Sequence, residues 1–312
     1  MRYVLLLVAL FTVAGCSNFS QDDGATIAEL QKAGARVVGN PVTEVNFTVR
    51  DIDNYTIYHL SKLPQLKYLS LGHTNVNDEE LGYIKNLKEL TSLKLDGAYK
   101  VTDVGLEELK NLPKLEWLIL SSTGITDVGL EAPKGLLNVK RLWLDGTKIT
   151  DVGMALLKGF SHLEYLNVAN TSVTTSGIIQ LKGLKQLDKL NLGSTAFDDT
   201  GMKELAVMDQ LEELDLFGTK VTNQGMKYLK GMRKLQKITL PDSVTDAGLF
   251  NLKGLNQMRQ ITLYGSGITD KSLEIIKDMS DLEEIWLYGT GITNAGLVRL
   301  KRVIPALKVK QH

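Results

Sequence analysis

The stretch DGTKITDVG, residues 145–153, is restated along the chain as SSTGITDVG at 121–129, YGSGITDKS at 264–272 and YGTGITNAG at 288–296. Each copy follows an L-x-x-L-x-L segment, and aligning on that segment sets one register. Its central apolar residue falls at Leu69, Leu93, Leu118, Leu142, Leu166, Leu190, Leu214, Ile238, Ile261 and Ile285. The spacing is 24 residues, with one residue inserted near Tyr99 and one deleted near Asp242. Both changes fall in the turn after the strand, where a change of length costs least. A fainter copy at Val45 and Phe47 and a truncated one at Leu307–Val309 flank ten clear repeats.

Alternate leucines in L-x-L point to one side, so this segment reads as a short strand with one buried face. In GITDVGL and its relatives, the Thr-Asp pair stands where a helix would begin. There a hydroxyl can cap free N–H groups and a carboxylate can meet the positive end of the dipole. Lys85, Lys110, Lys134, Lys158, Lys182, Lys230, Lys253, Lys277 and Lys301 recur near the expected helix ends, where cations suit the free carbonyls. No single unit of this size can bury its apolar face, so neighbours must stack to make a core. The repetition is therefore an architectural requirement, and catalysis does not call for it.

The consensus LxxLxLxxTxITDxGLxxLKxL resembles the leucine-rich repeat family over nearly everything after residue 45. It is most similar to the cysteine-containing subtype, whose best-known members are eukaryotic ubiquitin-ligase adaptors. At the position that names that subtype, this chain has Thr74, Thr123, Thr147, Thr171, Thr195, Thr219 and Thr290, and it has no adaptor-binding segment. A ubiquitin-related role is thereby out of reach. The fold implied is α/β: a right-handed leucine-rich-repeat solenoid with a concave parallel sheet and short convex helices. At about 4.8 Å per strand, ten repeats give an inner surface roughly 45 to 50 Å long. Residues 45–312 form the repeat domain. Residues 25–48 supply an N-terminal cap, a helix and then a hairpin turning at Gly39-Asn40-Pro41, that merges into the first imperfect repeat.

The start MRYVLLLVALFTVAGC carries one arginine, a ten-residue apolar run from Val4 to Val13 and two small residues before Cys16. It reads as an export signal over residues 1–15. The run spans only about 15 Å as a helix, half of a bilayer core. Val13-Ala14-Gly15-Cys16 resembles the lipobox of bacterial lipoproteins, which implies that Cys16 is lipidated, as by palmitate, and becomes the mature N-terminus. Residues 16–24 would then be a polar tether. Expected placement is the bacterial cell envelope, at the outer membrane or cell surface rather than the inner membrane, with the lipid as membrane contact. Cys16 is the single cysteine, so neither an intrachain disulfide nor a thiolate metal cluster can form.

Lys plus Arg and Asp plus Glu number 36 each, which leaves no electrostatic case for nucleic acid as a partner. His59, His73, His162 and His312 are too scattered in the register to converge on a metal. Met154, Met202 and Met226 occupy a leucine column as core fillers. There is no phosphate-binding loop, nucleophile elbow or zinc-protease pair. Sequons at Asn46, Asn54 and Asn170 carry no weight in a bacterial lipoprotein. No enzyme chemistry and no cofactor or metal are expected.

Informative residues are those that the repeat leaves free, beside the strand leucines on the concave face. All 3 tryptophans of the chain stand there. One candidate ligand site gathers Trp117, Ile119, Arg141, Trp143, Asp145, Tyr165 and Asn167, with the tryptophans as anchors and Arg141 as the orienting charge. A second patch gathers Phe217, Tyr264, Trp286 and Tyr288. Between them the same columns read Lys189, Asn191, Glu213, Asp215, Lys237 and Thr239. The aromatics could instead serve as a stabilising ladder, with Arg141 between Trp117 and Tyr165. A non-catalytic protein-binding module is the preferred function. The alternative is a glycan receptor, with rings stacking on sugars and Asp145, Asn167 and Asn191 meeting hydroxyls.

Overall fold

The computed structural model describes residues 21–47, 51–131 and 136–311. Cys16, the expected signal segment, the start of the tether, Lys134 and His312 lie outside the described residues.

A helix, α1 (Gln21–Lys32), precedes a hairpin of β1 (Ala35–Gly39) and β2 (Val42–Phe47), and a second helix follows, α2 (Asn54–Leu60). The sequence reading gave residues 16–24 to the tether, whereas α1 takes its last four. A polar run fits a helix's first turn as readily as it fits coil. Each later repeat contributes one strand: β3 (Tyr68–Ser70), β4 (Ser92–Lys94), β5 (Trp117–Ile119), β6 (Arg141–Trp143), β7 (Tyr165–Asn167) and β8 (Lys189–Asn191). The series continues with β9 (Glu213–Asp215), β10 (Lys237–Thr239), β11 (Gln260–Tyr264), β12 (Glu284–Tyr288) and β13 (Lys308–Gln311). Among the described residues, 13 strands make one sheet in chain order, parallel from β2 onward and antiparallel between β1 and β2. The register places each central residue beside its counterpart, Leu118 with Leu142 and Leu142 with Leu166. Those ten central residues are at most 2 % exposed, so one apolar column runs the length of the sheet.

The two irregular spacings fall in the turns after β4 and β10. Ala98 fills the buried position that threonine holds elsewhere, and Tyr99, the extra residue, stands outward at 67 % exposure. After β10, a tight turn in which the Val244 N–H donates to the Pro241 carbonyl replaces a longer one. The threonines at the subtype-naming position are held in place by their hydroxyls. Thr74, Thr123, Thr147, Thr171, Thr195 and Thr219 each donate to the carbonyl three residues earlier.

The Thr-Asp pair does more than the sequence reading gave it. The threonines do cap their own short helices or 3-10 turns: Thr102, Thr126, Thr150, Thr174 and Thr222 each accept an N–H through their side chains. The aspartate stands in the first turn as expected, and it also reaches across to the next repeat. Asp127 accepts the Thr150 N–H at 2.8 Å on one oxygen and the Thr150 hydroxyl at 2.5 Å on the other. Asp78, Asp103, Asp151, Asp199, Asp246 and Asp270 clasp Thr102, Thr126, Thr174, Thr222, Thr269 and Thr293 in the same way. The glycine of T-D-x-G makes room for this clasp, because a Cβ on Gly153 would run into the Asp127 carboxylate. Several of the recurring lysines form ion pairs. Lys85 pairs with Glu108, Lys110 with Glu107, Lys182 with Glu204 and Lys277 with Glu274.

Candidate functional site

Strand geometry sends alternate side chains to opposite faces, so the residues on either side of each buried leucine stand on the concave surface. In β5 and β6 these are Trp117, Ile119, Arg141 and Trp143, with Trp117 opposite Arg141 and Ile119 opposite Trp143. The Arg141 guanidinium lies over the Trp117 ring at 4.4 Å. The Trp117 and Trp143 rings are 6.5 Å apart and tilted by 45°. Trp143 in turn packs on Tyr165 at 4.5 Å. Thus Arg141 is stacked on one tryptophan, and Trp143, not Arg141, carries the Tyr165 ring. Burial pushes the Tyr165 phenol above its ordinary range. Trp117 remains 41 % exposed, while Trp143 is half-buried.

Asp145 and Asn167, expected beside these rings, are tied into the scaffold. One Asp145 oxygen accepts the Ser121 hydroxyl at 2.7 Å and the Asn167 amide at 2.9 Å. Asn167 is buried, and its own side-chain oxygen accepts the Ala169 N–H at 3.0 Å. Asn191 repeats that turn bond with the Gly193 N–H at 2.8 Å. These bonds take one Asp145 oxygen, both ends of the Asn167 amide and the Asn191 side-chain oxygen.

The second aromatic patch is also continuous. Phe217 packs on Tyr264 at 4.5 Å, Tyr264 stacks on Tyr288 at 4.7 Å, and Trp286 lies 6.3 Å from Tyr288. The Lys310 ammonium sits 4.1 Å from the Trp286 ring centre.

Between the two patches the floor carries small or polar residues, and it sinks into a depression of 210 Å³. Its lining includes Tyr165, Asn191, Asp215, Thr239 and Gln260. Glu213, also in the lining, is flanked by Lys189 at 2.9 Å and Lys237 at 3.1 Å. Burial pushes the Glu213 carboxyl up, but the two lysines outweigh it and hold the group below the usual carboxylate range. Asp215 differs: burial raises its carboxyl, and only the Phe217 N–H opposes that. Sequence reasoning placed these residues on the concave face without joining them into a site. The available signal was the Lys-Glu-Lys alternation at one repeat per step. Among the described residues, no group of His, Cys, Asp and Glu could hold a metal ion, and no helix is long and apolar enough to cross a membrane.

With this geometry in view, comparison with known families matches residues 113–173, and separately residues 211–230, to leucine-rich repeat families. The chain is built of leucine-rich repeats. The longer match contains the whole Trp117 to Asn167 patch. The solenoid is similar to the crystal structure of an internalin (inlF) from Listeria monocytogenes str. 4b F2365. That likeness has a TM-score of 0.60 and 21 % identity over 81 % of this chain and 69 % of that one. At such identity the likeness establishes a shared leucine-rich-repeat fold. An internalin C2 (inlC2) from the same strain aligns with 26 % identity over 68 % of this chain and 84 % of that one, with a TM-score of 0.49. No curated protein matches the sequence.

Proposed function

We propose that this leucine-rich-repeat chain is a lipid-anchored protein of the bacterial cell envelope, and that it binds another protein through its concave face without catalysing a reaction. The observation that carries this reading is the Arg141-Trp117-Trp143-Tyr165 stack, an aromatic platform left partly open to water on the concave face. Exposed, pre-stacked aromatics beside an arginine are the composition of binding hot spots, because the rings are already ordered and lose little entropy on contact. A parallel sheet of this length suits an extended contact with a protein. The glycan alternative loses Asn167, whose amide is taken at both ends by internal hydrogen bonds, since sugar sites depend on free polar groups around the rings.

The test is the double substitution of Trp117 and Trp143 by alanine. A photo-crosslinker at Ile119 in intact cells identifies the partner, and its affinity for purified protein is then measured. The double variant should bind at least about tenfold more weakly, a loss of about 1.4 kcal/mol or more. Its melting temperature should drop by only a few degrees, because ring pairs contribute about 0.5–1.5 kcal/mol beyond burial. Unchanged affinity with a large loss of stability would make the stack a structural ladder.

A further inference from the structure

We propose that the depression between the two aromatic patches is a subsite for one basic side chain, lysine or arginine, whose cationic end meets Asp215. The inference rests on the concave face being the binding surface, and it adds the chemistry of the partner there.

The charge on Asp215 has no structural task. At the corresponding position of the two preceding strands, Asn167 and Asn191 make the same turn bond, a side-chain oxygen accepting the N–H two residues on. Asp215 does this for the Phe217 N–H at 2.9 Å. The turn therefore needs only an oxygen, and an asparagine supplies one. The carboxylate at Asp215 adds a charge, and its second oxygen takes no partner among the described residues. Lys189 and Lys237, the nearest cations in the lining, are both drawn to Glu213. A partly buried carboxylate without a counter-charge is costly, and a ligand cation would relieve that cost.

The surroundings suit a cation. Burial pushes the Tyr165 and Tyr264 phenols up, and the Asp215 charge adds to it in both, so the carboxylate lies within electrostatic reach of a tyrosine from each patch. Phe217 rests on Tyr264 two residues beyond Asp215. Aromatic faces attract ammonium and guanidinium groups, and their edges accept the methylene stem of a lysine or arginine. An anion would meet the same rings and an uncompensated carboxylate. The 210 Å³ volume holds one side chain and leaves the rest of a partner on the platform outside.

The probes are N-acetyl-lysine methylamide and its uncharged counterpart N-acetyl-norleucine methylamide, titrated into the full repeat domain and followed by the backbone amide resonance of Phe217. The lysine probe should give a saturable shift, and the norleucine probe should bind at least fivefold more weakly. Asp215→Asn keeps the turn bond, as Asn167 and Asn191 do, so the variant should fold normally and lose the lysine response. Equal binding of both probes, an undiminished response in Asp215→Asn, or no shift with the lysine probe would overturn the proposal. The Trp117 and Trp143 double variant is kept for the partner assay; Trp117→Ala alone, which leaves Tyr165 packed on Trp143, should leave the lysine response intact. If the probe fails while that double variant still loses its protein partner, the subsite falls and the concave binding surface stands. If the probe binds while the partner is retained, the reverse holds.

Discussion

At the scale of single residues, DGTKITDVG can be assigned position by position. Asp145 ties three strands together at the sheet edge, and Gly146 takes a left-handed turn at φ 68°. Thr147 returns its hydroxyl to the Leu144 carbonyl, and Ile149 is fully buried. Thr150 caps its helix, Asp151 clasps Thr174, and Gly153 leaves space for Asp127. Two exceptions show that the clasp is a matched pair. At the next interface donor and acceptor are exchanged: Thr175 stands where aspartate is usual, Asp198 where threonine is usual, and the Thr175 hydroxyl donates to Asp198 at 2.9 Å. At another, Asn223 accepts the Thr245 N–H and donates to the Thr245 hydroxyl, and Thr245 caps without a side-chain bond. Thr175→Asp alone should therefore set two carboxylates face to face and destabilise the protein by about 1–3 kcal/mol. Adding Asp198→Thr should restore the usual clasp and recover most of that loss. Urea unfolding of both singles and the double measures the coupling, and a stable Thr175→Asp single would refute the matched-pair account.

At the scale of elements, the helix starts form a ladder of carboxylates whose protonation couples to stability. Hydrogen bonds from the Thr293 N–H and hydroxyl, with Arg299 nearby, hold the Asp270 carboxyl below its usual value. For Asp246, burial pushes upward, but bonds from Ser272 and Thr269 outweigh it. A carboxyl lowered in the folded state binds fewer protons than in the unfolded chain. Its stabilisation is therefore complete above the unfolded value of 3.8 and is lost as pH falls through the folded one. Asp246→Asn combined with Asp270→Asn should melt below the wild type at neutral pH, and the gap should close as pH drops below 3.8. Melting temperatures from about pH 6 to pH 3 check the sign; a gap that widens in acid would contradict it. The helix starts were visible in the sequence because threonine before a periodic apolar run is a local signal. The destination of the aspartate was not, because its partner lies one full repeat away and a helix dipole offers a competing local explanation.

At the scale of the whole molecule, a stack in which each repeat touches only its neighbours leaves the concave columns free to vary, and binding chemistry is written there. The proposed anchorage belongs to this scale too, since it sets where that face is displayed. Cys16→Ser should leave an unprocessed precursor that takes up no fatty-acid label, measured by metabolic labelling and the size of the chain; trimming and labelling that persist would exclude Cys16 as the lipidated residue. The leucine register, the turn positions and the solenoid were legible in the sequence, because a period of 24 residues forces equivalent side chains into columns whatever the finer contacts are. So was the gathering of all 3 tryptophans on the concave face, since alternation along a strand fixes the side. Three things needed the folded chain: that Trp143, not Arg141, carries Tyr165; that the aspartates clasp forward; and that the polar residues between two aromatic patches line a depression with Asp215. Each is a choice among neighbours a repeat or more apart, decided by side-chain volume and by which hydrogen-bonding group is still free, and the periodicity of the sequence leaves those choices open.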